Sequence, residues 1–535
     1  MQPLRLSLRE CVTAAFAHNT EIRVDSFLPA LREQDILSQE AAFDPNLSFT
    51  GRYEEASSPT NNFFDLGNFL TKAQTDPNAS LSQIQNNIFD IFANPIAIDT
   101  TTASLNSAYN DPLRWGARWS STLFIARSTS NSANAFFPES YYANLQFEYT
   151  QSFLRGFGRK TNETFITLAR VNRQIDQETF RKRVQDTLLE VESAYWTLVY
   201  ERQDLDVRNE ALDLAQELLR LNKIRVDVGT LPPIDITQAE AGVASREEAV
   251  IVAQANIANA EDRLRRVMGL DPGSDDWNRP IEPTEDLGTV ERNAVLDSEI
   301  KKALDNRTDL QQARLTLESA DVTLEAQRNQ LKYRLDGTAA YAFQGLAGDT
   351  NPIDVFDPNG NRRGTIPAFN SGVPDALEFI RKGRFPTWSV SLVLGIPIGN
   401  RSAEAAYTRD SLQKQQDVVQ FENLKQAAIV AVGVAVRQVE TDRKRIDAAE
   451  KNRVLQEKTV EAEQKKFENG LSTSFEVLQL QRDLSEARSS ENAARRDYRI
   501  SLANLDAVTG VLEKKLGVSL EDYESPAQQA ASPAE

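Results

Sequence analysis

The sequence predicts a mainly α protein with a small β part, in which long antiparallel helices occur in two tandem copies. Three observations carry this. Long stretches rich in Ala, Leu, Glu, Gln, Lys and Arg set apolar residues three and four apart, as in Leu188, Val191, Tyr195 and Leu198, then Leu205, Leu212, Ala215 and Leu219. A few short segments alternate apolar and polar side chains instead. The same glycine turn occurs twice, IRVDVGTLPPIDITQ at 224–238 and KKFENGLSTSFEVLQ at 465–479, an offset of 241 residues.

The duplication extends beyond the turn. Gly229 falls on Gly470, Ile236 on Val477 and Gln238 on Gln479, while Asp235 meets the like-charged Glu476. FLRGFGRKTNE (153–163) falls on LGIPIGNRSAE (394–404), with Gly158 on Gly399, and LRRVMGL (264–270) falls on LDAVTGV (505–511). Nearer the start, AHNTEI (17–22) resembles DNRTDL (305–310) at an offset of 288, which also sets Leu47 on Leu335 and Tyr53 on Tyr341. The first half therefore carries a longer insertion between its strands. Two large copies, rather than many short ones, argue against a solenoid. The expected organisation is a first repeat over 1–270, a linker over 271–296, a second repeat over 297–512 and a disordered tail over 513–535.

Each half reads as helix, strand, long loop, strand, very long helix, turn, helix. The predicted helices lie near 7–42, 161–228 and 233–268, then 297–332, 402–469 and 474–509. A 68-residue helix is about 100 Å long, and the two shorter helices of each half together nearly match it. Stacking the short pair end to end beside the long helix makes a rod of two strands of helix held by coiled-coil packing.

Composition removes several function classes. Charged residues are 26% and hydrophobic residues 40%, which fits neither a disordered chain nor a helical membrane protein. The net charge of −18 argues against nucleic acid as a partner. With one Cys and one His, no metal or thiol chemistry and no cofactor is expected. Cys11, at an apolar helical position in LRECVTAAF, reads as a buried thiol, and His18 as the end of a helical turn. No run of about 18 apolar residues offers a transmembrane helix. AAIVAVGVAV (427–436) is too short and reads as facing a helical core. The opening MQPLRLSLREC has no apolar signal region, so either the chain stays in the cytoplasm or a leader has been removed.

The strands point elsewhere. NLQFEYTQSF (144–153) sets Leu145, Phe147, Tyr149 and Phe153 on one face, and WSVSLVLGIPI (388–398) sets Trp388, Val390, Leu392, Leu394, Ile396 and Ile398 on one face. NLSFTGRYE (46–54) and RLDGTAAYAF (334–343) do so more weakly. A soluble sheet with one buried face gives the same alternation. Four strands with little else to pack on favour a transmembrane β-barrel, since the helices run away from them in rods. Four strands cannot close a barrel, but three chains would supply twelve, together with twelve helical columns. The inserts at about 56–140 and 346–386 read as outward loops. WGARWSSTLFIAR (115–127) also alternates, but an odd extra strand would put the next helix on the wrong side of the membrane, so it is expected in a loop hairpin.

In order and duplication, LSLRECVTAAFAHNTEI, AAFDPNLSFTG, QSFLRGFGRKTN, VGTLPPIDITQAE, LRRVMGL, FENGLSTSFEVLQLQ and LANLDAVTGV resemble the TolC-type outer membrane efflux proteins over about 7–512. The resemblance implies a homotrimeric, non-enzymatic tunnel: a β-barrel in outer-membrane lipid continued by a periplasmic α-helical barrel. It also implies partners, an inner-membrane transporter and a periplasmic adaptor, and an exported cargo that the pump sets. Members of that family enter by a signal peptide. Cys11 does not open the chain, so it lends no support to a lipidated subgroup. The rival reading is a soluble coiled-coil scaffold, which would not need the apolar strand faces.

The twin turns would then be the far ends of the rods. A helix ending in the left-handed region favours Gly229 and Gly470. Pro232 and Pro233 suit a first helical turn, Thr473 and Glu476 fit a T-x-x-E capping box, and Asp235 occupies the matching place. The resemblance adds a second role, in which Asp235 takes part in gate bonds and Glu476 lines an acidic entrance. Phe467 stands where the family has a gate tyrosine, Ser472 where it has an arginine, and Gln479 replaces a second acidic position. Gly229, Thr230, Leu231, Gly470, Leu471 and Ser472 would meet the adaptor. Gly158 and Gly399 are expected at strand-to-helix corners. FLRGFGRK also looks like a phosphate-loop fragment, but no G-K-[ST] follows.

Overall fold

The structure, a computed structural model, describes residues 3–59, 80–83, 85, 86, 89, 97–132, 135–288, 290–350, 352–358, 360–520 and Tyr523. Much of the predicted insert between 60 and 96, and the tail beyond 520 apart from Tyr523, lie outside the described residues. The described helices are α1 (Leu8–His18), α2 (Thr20–Asp25), α3 (Phe27–Glu40), α4 (Arg159–Asn162), α5 (Thr164–Asp227), α6 (Ile234–Met268), α7 (Leu296–Asn306), α8 (Thr308–Gln330), α9 (Val373–Arg381), α10 (Arg401–Glu468), α11 (Ser474–Val508) and α12 (Leu512–Lys515). The strands are β1 (Leu4–Leu6), β2 (Asn46–Pro59), β3 (Ala97–Leu113), β4 (Ala117–Ser130), β5 (Glu139–Ser152), β6 (Ile281–Pro283), β7 (Arg334–Asp349), β8 (Ile353–Phe356), β9 (Arg362–Ile366) and β10 (Pro386–Gly395). Two units result, each drawing on both halves of the sequence: Met1–Ile36 with Leu168–Asp321 and Ser411–Glu535, and Leu37–Thr167 with Val322–Asp410.

In the first unit the long helices stand where their periodicity set them, α5 with 64 residues and α10 with 68. Leu188, Val191, Tyr195 and Leu198 are fully buried, clustered with Cys11, Ile22, Leu264, Met268 and Ile281. Burial, with Glu10 and Glu285 nearby, pushes the Cys11 thiol up to about 12. One side of AAIVAVGVAV is core, with Ala428, Val432 and Ala435 buried, while Val430 and Val434 on the other side are exposed.

The shorter predicted helices are interrupted. Instead of one helix over 7–42 the chain breaks at Asn19, which is extended and whose side chain caps the Glu21 and Ile22 amides. The second half breaks at Arg307, also extended. The cause is a close approach made twice. A Cβ on Gly269, at the end of α6, would lie 2.4 Å from the His18 carbonyl oxygen, and one on Gly510 would lie 2.8 Å from that of Asn306. Both glycines are left-handed (φ 69° and 71°), so the helix break and the glycine fit each other in both halves. The chain at 513, expected to be a disordered tail, instead runs through α12. There Leu512 and Glu513 are buried, and Arg181 Nε donates to Glu513 at 2.6 Å. Tyr523 sets its ring edge-on to Phe16 at 5.1 Å. No helix among the described residues is long and apolar enough to cross a membrane.

The second unit holds an antiparallel sheet of six strands in the order β10-β7-β5-β4-β3-β2. This corrects the expectation of four strands and the assignment of 115–127 to a loop hairpin. The alternating segment is β4, and its partner β3 lies within the stretch read as an outward loop. Two strands were added, not one, so the helix that follows keeps its side. β3 (AIDTTTASLNSAYNDPL) gives only a weak strand signal because it is dominated by Thr, Ser, Ala and Asn. In the 346–386 insert, α9 packs Ala376 onto Ala143 and Ala347 of the sheet.

Register sets the faces. Across the sheet, Leu47 pairs Tyr109, Phe49 pairs Ser107, Leu105 pairs Ile125, Leu123 pairs Leu145, Phe147 pairs Tyr341 and Tyr341 pairs Trp388. One face is thus mainly apolar, broken by Ser107 and Ser121 and covered at Ala143 and Ala347 by α9, and Trp388, Val390 and Leu392 on it are about 70% exposed. The other face carries Ser48, Thr50, Asn106, Ser120, Thr122, Asn144, Gln146, Glu148 and Thr338, with Phe124 against Tyr142 as its aromatic exception.

Candidate gate at the paired helix turns

Both turns belong to the helical unit and close their long helices in the same way. The amide of Thr230 donates to the Arg225 carbonyl at 2.8 Å and that of Leu471 to Lys466 at 2.8 Å. One bond inside these, the Gly229 amide reaches Val226 at 2.9 Å and the Gly470 amide reaches Phe467 at 3.1 Å. Gly229 and Gly470 have φ of 76° and 73°, the left-handed cap in which a Cβ is strained.

The returning helices start differently. Ahead of α11, Thr473 Oγ1 accepts from the Glu476 amide at 3.3 Å and Glu476 accepts from the Thr473 amide at 3.4 Å, a capping box. Ahead of α6 the cap position is Pro233, which has no side-chain acceptor and makes no capping bond. The expected capping role for Asp235 is therefore not formed. Its carboxylate instead accepts from Ser474 Oγ at 2.8 Å, and its carbonyl accepts from the buried Asn222 at 3.3 Å. The Asp235–Ser474 bond ties the turn of one half to the turn of the other.

Phe467 is buried in a cluster with Ala215, Leu218, Val243, Val477 and Leu478. Arg225 stacks its guanidinium 4.5 Å from the Phe467 ring and donates to the Phe467 carbonyl at 3.1 Å. The ring thus anchors a second tie between the halves through packing. Ser472 Oγ lies 2.5 Å from Glu463 and 2.8 Å from Glu476, and its single proton can serve one carboxylate at a time. The Ser472 hydroxyl and the neighbouring Lys466 hold Glu463 below the ordinary carboxylate value. Gln479 is exposed and stands apart from these ties. Gly229, Thr230, Gly470 and Leu471 are exposed, Leu231 is half-buried, and Val228, Ile234, Leu471 and Phe475 leave large apolar side chains in water.

Ser474 and Arg225 were not among the residues singled out from the sequence. At the 241-residue offset Ser474 falls on Pro233, so comparing the halves leads away from it, whereas Arg225 falls on Lys466, a matched base that could have been noticed.

In the strand unit, Gly158 precedes α4 with φ 98° and Gly399 precedes α10 with φ 68°. Around FLRGFGRK the backbone groups are used internally. Asn329 Oδ1 accepts from the Gly156 amide at 2.7 Å, Trp115 accepts from the Gly158 amide at 3.1 Å, and Asn162 donates to both glycine carbonyls at 2.8 Å. Those amides are committed to the corner rather than free for a phosphate.

The outer membrane efflux protein family matches residues 121–270 and 300–511 of this chain. The fold is also similar to solved outer membrane channels. The Campylobacter jejuni CmeC channel is 14% identical with a TM-score of 0.60, covering 96% of this chain and 90% of its own. VceC of Vibrio cholerae is 14% identical with a TM-score of 0.59, covering 95% and 97%. The open-state MtrE channel of Neisseria gonorrhoeae is 16% identical with a TM-score of 0.56, covering 94% and 89%. No curated protein matches the sequence. The family match spans well over half of the residues, and the fold extends the likeness to nearly all of them. The chain belongs to the outer membrane efflux protein family.

Proposed function

We propose that this protein is the passive outer-membrane duct of a tripartite efflux or type I secretion system, a homotrimer joined to an inner-membrane transporter through a periplasmic adaptor. The observation that carries the reading is the mainly apolar face of the sheet, with a polar face behind it. That is the division a barrel wall needs between lipid and a watery lumen. The sheet has two free edges, which lipid does not tolerate, so it calls for further copies. Apolar side chains left exposed on the long rods, among them Val430, Val434, Ile251 and Val252, suit neighbouring protomers in a helical tunnel. Two repeats, 1–270 and 297–512, joined through 271–296, would each supply half of a protomer's wall.

In this reading the paired turns are the periplasmic mouth. Asp235, Glu476, Ser472 and Phe467 hold it, with Gln479 beside them, and Gly229, Thr230, Leu231, Gly470 and Leu471 meet the adaptor. Gly158 and Gly399 turn the barrel wall into the tunnel wall. The test is extraction of the full chain from outer membranes with detergent, followed by light scattering. A particle of three chains is expected. A monomer stable in plain buffer would overturn the reading.

A further inference from the structure

We propose that each protomer contributes six strands to the membrane wall, so that the trimer closes eighteen strands where the family resemblance implies twelve. The count rests on the trimer proposed above. The strand number per chain stands on the structure itself.

The added hairpin has the dimensions of a barrel hairpin. β3 has 17 residues and β4 has 14, while a tilted strand needs about 9–11 to cross the hydrocarbon. It is paired along its length on both sides, from Leu47 opposite Tyr109 on β2 to Phe147 opposite Ser121 on β5. Its turn also returns to the rim where strands become helices. Gly116 accepts from the Ser152 amide at 3.4 Å, Trp115 accepts from the Gly158 amide at 3.1 Å, and Arg114 pairs Glu163 at 3.1 Å. A hairpin confined to an outer loop would not reach the strand-to-helix corner.

Its side chains sort as lipid and lumen require. Leu105, Tyr109, Trp119 and Leu123 continue the apolar face, on which Ile125 packs under α9, and Ser104, Asn106, Asn110, Ser120 and Thr122 continue the polar face.

The edges fit a second copy. Along the sheet every neighbour is antiparallel, so the end strands β2 and β10 run in opposite directions. β2 of one chain can therefore pair antiparallel with β10 of the next, and any number of copies closes an even, wholly antiparallel barrel. Both end strands are exposed along nearly all of their length. At a typical spacing and tilt, eighteen strands give a backbone diameter of about 36 Å, against about 24 Å for twelve.

Single cysteines test this in proteoliposomes, because the one native thiol, Cys11, is fully buried and serves as a silent background. Leu105→Cys and Leu123→Cys should react with a lipid-soluble maleimide and resist a membrane-impermeant one. Asn106→Cys and Ser120→Cys should show the reverse, with rates differing by about tenfold or more between faces. Tyr109→Cys and Ser104→Cys repeat the comparison should one of these variants fold poorly. Native mass measurement of each variant in detergent counts the chains. Alternating labelling in a three-chain particle supports eighteen strands. Equal impermeant labelling on both faces, in a three-chain particle, overturns the six-strand protomer and leaves the trimer standing. Alternation in a particle of another size overturns the trimer and the number eighteen, and leaves six strands per chain.

Discussion

Ser474 donates a 2.8 Å hydrogen bond to Asp235, across 239 residues of chain and between the two glycine turns of the duplicated helical hairpins. Ser474 is fully buried and Asp235 half-buried, so the bond is partly shielded from water, and its acceptor is a carboxylate. Bonds to charged groups contribute about 1.5–3 kcal/mol. Ser474→Ala should therefore loosen one tip against the other while leaving the rods intact. In a trimeric channel the expected outcome is higher single-channel current from intact particles, with Asp235→Ala matching it and the double variant adding little more. Additive effects of the two changes would separate the residues.

Glu476 carries a different prediction, because its capping bonds and a role at the mouth have different consequences. Loss of the cap costs about 1 kcal/mol and leaves conduction alone. A ring of carboxylates around a symmetry axis instead favours cations. Glu476→Gln with Asp235→Asn should weaken cation preference and block by multivalent cations in planar bilayers. Unchanged selectivity would leave capping and the tie to Ser474 as the whole role of these residues.

Glu192 gives the helical unit a pH dependence. Burial pushes its carboxyl up from the ordinary 4.5 to about 7, with Lys515 opposing the rise and Asp506 adding to it. Its Oε2 has no hydrogen-bond partner. A carboxyl raised on folding binds its proton more tightly in the folded state, so stability falls as pH rises from about 4.5 to about 7, then levels off. Glu192→Gln should remove that slope and stabilise the protein at alkaline pH by on the order of 3 kcal/mol. Denaturation midpoints of the detergent-solubilised protein at about pH 5 and about pH 8 check this; a slope that survives the substitution would move its origin elsewhere.

At the strand-to-helix corners, Gly158 and Gly399 have φ of 98° and 68°, with open space where a Cβ would stand. A Cβ would meet no neighbour there, but the backbone would be strained by about 1–3 kcal/mol at each site. Gly158→Val with Gly399→Val should lower the yield of assembled particles without changing the selectivity of those that form. A normal yield would show that the corners tolerate strain.

The long helices and the duplicate turns were legible because each signal is local and repeated. A 3.6-residue pattern sustained over 64 and 68 residues leaves little ambiguity, and Gly229 and Gly470 each carry a backbone requirement that the neighbouring residues announce. The breaks at Asn19 and Arg307 were less visible, since their cause is the tertiary approach of Gly269 and Gly510. The strand count was misread because β3 presents mostly small polar residues, so its apolar positions, Leu105 and Tyr109, stand out only once paired with β4. At the paired turns, the Thr473–Glu476 box is a sequence pattern, whereas the Asp235–Ser474 bond joins residues whose aligned positions do not correspond.

The proposed duct is a water-filled path through a membrane, closed at the paired turns. Purified full-length protein added to one side of a planar lipid bilayer tests it most directly, by the current it passes. Discrete, long-lived steps of small conductance are expected, which grow when Ser474→Ala and Asp235→Ala release the tie between the turns. A protein that enters the bilayer as a three-chain particle, yet passes no current with the native tie or without it, would rule out a water-filled path.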